Sequence, residues 1–170
     1  FFIWCADLHR SGVACEIGGG TPSQGMTEHF VIATTDCALA AQNAVVAAES
    51  LGLGICYIGG IRNDPQQVAD LLELPDQVYP VFGMCLGWPD QEPMLKPRLP
   101  LSVTLKEERY DESGDRDGIA AYDETLRAYY NERTGGKRES TWTSDMSALL
   151  GKESRPHMKG FLADRGFTMR

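Results

Sequence analysis

The segment HFVIATTDCALAAQNAVVAAESL, from His29 to Leu51, constrains the fold more than any other part of the chain. Its polar residues recur at Asp36, at Gln42 and Asn43, and at Glu49 and Ser50, a spacing of two helical turns. The remainder is apolar almost all round. The pattern predicts one long helix with a single narrow polar stripe, and such a helix is buried. Its many alanines let a second backbone approach closely. Two arrangements meet this demand: a helix packed on a second copy of itself in an obligate dimer, or the central core helix of a monomer.

The flanking segments complete a layered domain. FFIWCAD is aromatic and apolar without alternation, which predicts a strand buried on both faces. The chain starts inside that strand and without Met, so a preceding segment is expected. Ser11 to Gln24 reads as a loop; its Gly18-Gly19-Gly20 could cradle a phosphate, but no Lys-Ser/Thr follows. Gly52 and Gly54 end the long helix. ICYIGG then predicts a short buried strand that closes on two glycines. Asp64-Pro65-Gln66-Gln67 opens a short helix to Leu74, stopped by Pro75. VYPVFGMCLGW, Val78 to Trp88, predicts another covered strand. Strands and helices in this order point to an α/β or α+β domain.

Beyond residue 88 the pattern loosens. PDQEPMLKPR is a Pro-rich connection, LSVTLKEERY predicts a strand, and Gly114 to Gly118 a charged loop. Ile119, Tyr122, Leu126, Tyr129 and Tyr130 share one helical face. A last amphipathic helix is centred on Met158, Phe161 and Leu162. We therefore expect a core over residues 1–130 and an arm over 131–170 that lies on something else, such as a partner subunit.

Charge divides the same way. Residues 1–130 carry 8 Lys/Arg against 19 Asp/Glu, a balance of −11, and residues 131–170 carry 8 against 5, a balance of +3. The formal charge of −8 argues against general nucleic-acid binding. No apolar run is expected to reach the length of a membrane span. The cysteines Cys5, Cys15, Cys37, Cys56 and Cys85 are odd in number and form no C-x-x-C pair, which fits a reducing cytoplasm. Cys5 and His9 offer two metal ligands and no third nearby.

No Ser-His-Asp order, H-E-x-x-H, Walker loop or complete G-x-G-x-x-G occurs. That absence suits an enzyme whose reactive atoms belong to a cofactor. Two clusters could hold one. Tyr57-Ile58-Gly59-Gly60 ends a strand on glycines, where backbone N–H groups can meet a flat ligand. Lys96-Pro97-Arg98 sets two cations about a rigid proline, suited to a dianionic phosphate.

AAQNAVVAAESLGLGICYIGGIRNDP, VFGMCLGWP and LKPRLP, with YDETLRAYY, TW and KESRP through RGF in the tail, resemble the nitroreductase superfamily. Within it the chain is similar to the oxygen-insensitive NADPH nitroreductase A and flavin reductase group. The resemblance implies an α+β nitroreductase-like fold, a mixed sheet flanked by helices, and a homodimer built on the long helix. It implies one FMN per subunit, held by Tyr57, Ile58, Gly59 and Gly60 at the ring and by Lys96 and Arg98 at the phosphate. It further implies that Arg133 and Arg138 contact NADPH, within a stretch, NERTGGKRES, expected to be mobile. Reduction of nitroaromatics, quinones or free flavin by ping-pong hydride transfer in the cytoplasm follows, with no protein side chain as the catalytic group. The family's N-terminal His-x-Ser-x-Arg-type segment has no counterpart here, so part of the flavin contacts is expected to be absent. A non-enzymatic remnant that dimerises without flavin is the alternative.

Overall fold

The long helix is present as α2, Thr27–Ser50, in the computed structural model, which describes residues 1–170. Ala33, Cys37, Ala41, Val45 and Ala48 form its buried stripe, at spacings of four and three. Gly52, at φ +80°, supplies the left-handed turn beyond its C-terminus. The helix is less covered than its sequence predicts: Val31, Ile32, Leu39 and Val46 are exposed. By length and composition α2 is also apolar enough to cross a membrane, which corrects the expectation that no segment is. Core helices pass the same test, and α2 packs against the sheet.

The sheet has three strands in the order β1 (Phe2–Asp7), β3 (Val78–Gly87), β2 (Gly54–Ile58). Both pairings are antiparallel, so these strands do not form the mixed sheet that was expected. β3 is central and the most buried strand. β1 and β2 are edges, and Phe2, Cys56 and Tyr57 are exposed where burial was predicted.

The connections differ from expectation in three places, one of them the charged loop expected at Gly114 to Gly118, where Asp115 already begins a helix. Residues His9–Ile17 form helix α1 rather than loop, started by the Asp7 carboxylate, which accepts the Arg10 amide at 2.9 Å. The expected strand at LSVTLKEERY is a single helical turn, α4 (Leu101–Thr104), following Pro100. The short helix α3 (Pro65–Leu71) starts as its sequence predicts, with Asp64 accepting the Gln67 amide at 3.0 Å.

The chain divides into two compact units, residues 1–90 with 155–170, and residues 91–154. The boundary expected at residue 130 falls inside helix α5 (Asp115–Thr134). In the first unit, α7 (Met158–Asp164) and Phe167 join the sheet's own core. Phe161, Leu162 and Phe167 are buried with Ala6, Ala33, Ala69 and Tyr79. Tyr79 meets Phe167 edge to face at 5.1 Å, and its hydroxyl hydrogen-bonds the Thr34 hydroxyl at 2.7 Å. Arg165 then locks the segment down: its guanidinium donates to the carbonyls of Leu74, Pro75 and Val78 and pairs with Asp76 at 3.7 Å. In the second unit, α5 buries Tyr122, Leu126, Tyr129 and Tyr130, the face its sequence predicts, and α6 (Trp142–Leu150) packs beside it.

Candidate functional site

In the first unit, β2 runs out at Ile58 and the chain turns at once into a 3-10 helix, Gly59–Asn63. Beside that strand end lies an open hollow of about 530 Å³, lined by Thr35, Ala38, Leu39, Gln42, Tyr57, Gly59, Arg62 and Phe82. Tyr57 stands edge to face against Phe82 at 5.1 Å, and its hydroxyl donates to Gln42 Oε1 at 3.3 Å. The α2 residue thus fixes the ring's orientation. A side-chain carbon at Gly59 would sit 3.2 Å from Arg62 Nη2, a tight approach, so glycine leaves room for the guanidinium folded back over the turn. Arg62 donates to the Val81 carbonyl, and His157 hydrogen-bonds the Arg62 carbonyl at 2.9 Å. Burial, and secondly the charge of Arg155, lowers its ordinary pKa.

Of the predicted residues, Tyr57 and Gly59 line this hollow, while Ile58 and Gly60 flank it along the chain. Arg62, Gln42 and Phe82 were not foreseen. Arg62 carried a signal: it is the one Lys or Arg between Arg10 and Lys96. Aromatic walls, an apolar floor at Leu39 and a pinned cation suit a flat, electron-accepting ring. In that respect the residues present fit a flavin.

In the second unit three of the four predicted cations, Lys96, Arg133 and Arg138, lie against two tyrosine rings, and Arg98 does not. The Lys96 ammonium lies 5.5 Å from the centre of the Tyr130 ring, and the Arg138 guanidinium lies 4.3 Å from the same ring. Arg133, in the last turn of α5, lies 5.9 Å from the Tyr129 ring and donates to its hydroxyl at 3.2 Å. Tyr122 donates to the Pro97 carbonyl at 3.0 Å and so anchors the Lys96-Pro97-Arg98 segment to α5. Arg98 is exposed and turns its guanidinium back to the Lys96 carbonyl at 3.2 Å. The NERTGGKRES stretch is tied at several points rather than free. The Arg138 amide donates to Thr134 Oγ1 at 3.0 Å. Its guanidinium donates to Ser140 Oγ at 3.2 Å and pairs with Asp145 at 3.6 Å. Asp145 supplies Arg138 with a counter-charge, and neither Lys96 nor Arg133 has a carboxylate within ion-pair distance.

Residues 22–88 match the Nitroreductase family, and residues 96–170 match the C-terminal domain of the Nitroreductase family. The chain is 42% identical over 172 residues to the FMN reductase (NADPH) of Bacillus subtilis (strain 168), covering 99% of this chain and 69% of the relative. It is 42% identical over 170 residues to the NADPH-flavin oxidoreductase of Vibrio harveyi, covering 100% of this chain and 69% of that one. Among solved structures, NfrA1 of B. megaterium superposes with a TM-score of 0.92 at 46% identity, covering 97% of this chain and 68% of that one. The chain therefore belongs to the nitroreductase family, and its fold is of the nitroreductase, α+β type.

Proposed function

We propose that this chain acts as an FMN-dependent NADPH oxidoreductase that reduces nitroaromatics, quinones or free flavin. The observation that carries the reading is the gathering of Lys96 and Arg138 on one tyrosine ring, in a chain 42% identical to an FMN reductase (NADPH). Cations distant in sequence come together on one ring, which supports a phosphate-binding role for them.

When bound, FMN supplies the hydride acceptance and donation that no side chain here can perform. The chain's own residues bind and orient. Tyr57, Ile58, Gly59 and Gly60 offer the strand end for the ring, Tyr57 held by Gln42 and Phe82. Arg62 sets a fixed positive charge at the hollow, which favours negative charge developing there. Lys96 and Arg98 hold the FMN phosphate, and Arg133 and Arg138 hold the phosphates of NADPH. NADPH and the acceptor use the site in turn, a ping-pong order. The exposed apolar side chains of α2, Val31, Ile32, Leu39 and Val46, support a homodimer packed along that helix. The five unpaired cysteines support a reducing compartment, the cytoplasm.

The test is flavin titration of the purified protein, followed by fluorescence quenching, with FMN and with riboflavin, which lacks the phosphate. FMN is expected to bind at least tenfold more tightly, and the loaded protein to oxidise NADPH with a nitroaromatic acceptor. A protein that binds neither flavin is the non-enzymatic alternative.

A further inference from the structure

One pair of reactive side chains lies outside both clusters and has no part in the proposed function. β2 and β3 run antiparallel, and their register sets Cys56 directly opposite Cys85. Both thiols are free and exposed. Opposed residues of an antiparallel ladder have Cα atoms about 4.5 Å or about 5.5 Å apart, depending on whether they exchange hydrogen bonds. Either value falls inside the roughly 4.4 to 6.8 Å that a disulfide spans. Opposed side chains also leave the sheet on the same face.

That face is open at one end of the pair. The flanking pairs two residues away are Gly54 with Gly87 on one side and Ile58 with Gly83 on the other, so three of these four positions carry no side chain. A carbon added at Gly87 would meet nothing within 4 Å. The Phe1 ring lies over Gly83 and Pro89 borders Gly54, so a small reagent reaches the pair from the Gly87 end.

The remaining cysteines differ. Burial raises the Cys5 thiol and pushes Cys37 up to about 11, which keeps both as unreactive thiols. Cys15 is exposed on α1, away from any strand partner. Among five cysteines, only Cys56 and Cys85 combine exposure with cross-strand opposition.

We propose that Cys56 and Cys85 form a modification site, a dithiol that closes to a cross-strand disulfide by exchange with a small-molecule disulfide. One cysteine loses its proton, and its thiolate attacks a sulfur of the reagent. The reagent's S–S bond breaks and one reduced thiol leaves. The second cysteine then attacks the mixed disulfide and expels the other half of the reagent as a second reduced thiol. Two cysteine thiols are oxidised, one reagent disulfide is reduced, and the two protons pass to the departing thiolates. The closed link ties β2 to β3 one residue before Tyr57, and excess thiol reverses it.

The experiment treats the whole folded chain with oxidised glutathione, blocks remaining thiols by alkylation, and maps peptides by mass without reduction. The expected product is a peptide pair joined through Cys56 and Cys85, lighter by two hydrogens than the two reduced peptides, in a protein still of single-chain mass. Dithiothreitol should restore both thiols. Cys85→Ser should leave Cys56 as a glutathione adduct with no link. Three results would overturn the site: adducts persisting on both cysteines of the unaltered protein, both thiols inert in the folded protein, or a bond joining two chains.

Discussion

The Arg138 guanidinium lies over the ring of Tyr130, 4.3 Å from its centre, and the Lys96 ammonium approaches the same ring at 5.5 Å. A tyrosine face is negative, so it draws in two cations that would otherwise repel each other. Tyr130 is itself buried on α5, which fixes the place where the cations meet. Asp145 answers part of the charge at 3.6 Å from Arg138, and its bond to the Ser140 hydroxyl, at 2.6 Å, fixes its direction. Lys96 has no such carboxylate partner among the ion pairs and stays available to a ligand.

From that arrangement, replacing both Lys96 and Arg98 with Ala should weaken FMN binding by about 3 kcal/mol or more, since charge-assisted hydrogen bonds contribute about 1.5 to 3 kcal/mol each. Riboflavin binding should change little. The paired titrations separate a phosphate role from a structural one: equal losses for both flavins would mean that the segment supports the fold.

Arg133 has a different outlook. It leans on Tyr129 and carries no carboxylate partner, whereas Arg138 is engaged by Ser140 and Asp145. Arg133→Ala in flavin-loaded protein should raise the KM for NADPH about tenfold or more, equivalent to about 1.4 kcal/mol. The KM for NADH, which lacks the 2′-phosphate, should hardly move. Parallel rises for both nucleotides would withdraw the assignment of Arg133 to NADPH.

α2 leaves a question that composition could not answer but surface exposure sharpens. Ala40 and Ala47 are exposed in the single chain, so a larger side chain at either meets no part of its own core. If the exposed apolar side chains beside them cover a partner's helix, Ala40→Arg or Ala47→Arg buries an unpaired charge there, at a cost of about 3 to 5 kcal/mol. Sedimentation should then show the variants dissociating at concentrations where the unaltered protein is dimeric. Unchanged dimers in both would place the interface elsewhere.

How far the sequence could be read depended on whether a residue's role was local. The seven-residue spacing of Asp36, Gln42/Asn43 and Glu49/Ser50 revealed α2, and Asp64-Pro65 revealed the start of α3, because both signals sit inside the element they describe. The β-branched residues of LSVTL suggested a strand, but Pro100 and the packing of α4 on α5 set a helical turn instead. Met158, Phe161 and Leu162 announced an apolar face without saying that it returns to the sheet rather than to a partner. At the site, the glycines after Ile58 and the cations at Lys96, Arg98, Arg133 and Arg138 were legible as residue types. Arg62 was not, because its place in the hollow depends on the 3-10 turn after β2 and on its bond to the Val81 carbonyl, a contact distant in sequence.

The joint between α5 and α6 carries a pH dependence. Asp123 accepts the Thr143 amide at 3.0 Å and the Thr143 hydroxyl as well, at the first turn of α6, where the helix dipole favours a negative charge. Burial alone would raise the Asp123 carboxyl, but these donors and the Trp142 amide hold it below its ordinary value. A depressed folded value means that the ionised form is bound more favourably in the native state. The stabilisation is therefore complete above the unfolded carboxyl's pKa, about 3.9, and disappears as pH falls through the lower folded value. Asp123→Asn keeps the shape and removes the charge. We expect it to destabilise the protein by about 1 to 2 kcal/mol at neutral pH, allowing for partial solvent exposure. Below pH of about 4 the gap to the unaltered protein should narrow steadily, because the Asp123 carboxyl takes up its proton first in the unfolded chain and, at lower pH, in the folded one. Denaturant unfolding followed by circular dichroism from neutral pH to about pH 3 would measure it. A gap that stays constant across that range would show that shape, not charge, is what Asp123 contributes at this joint.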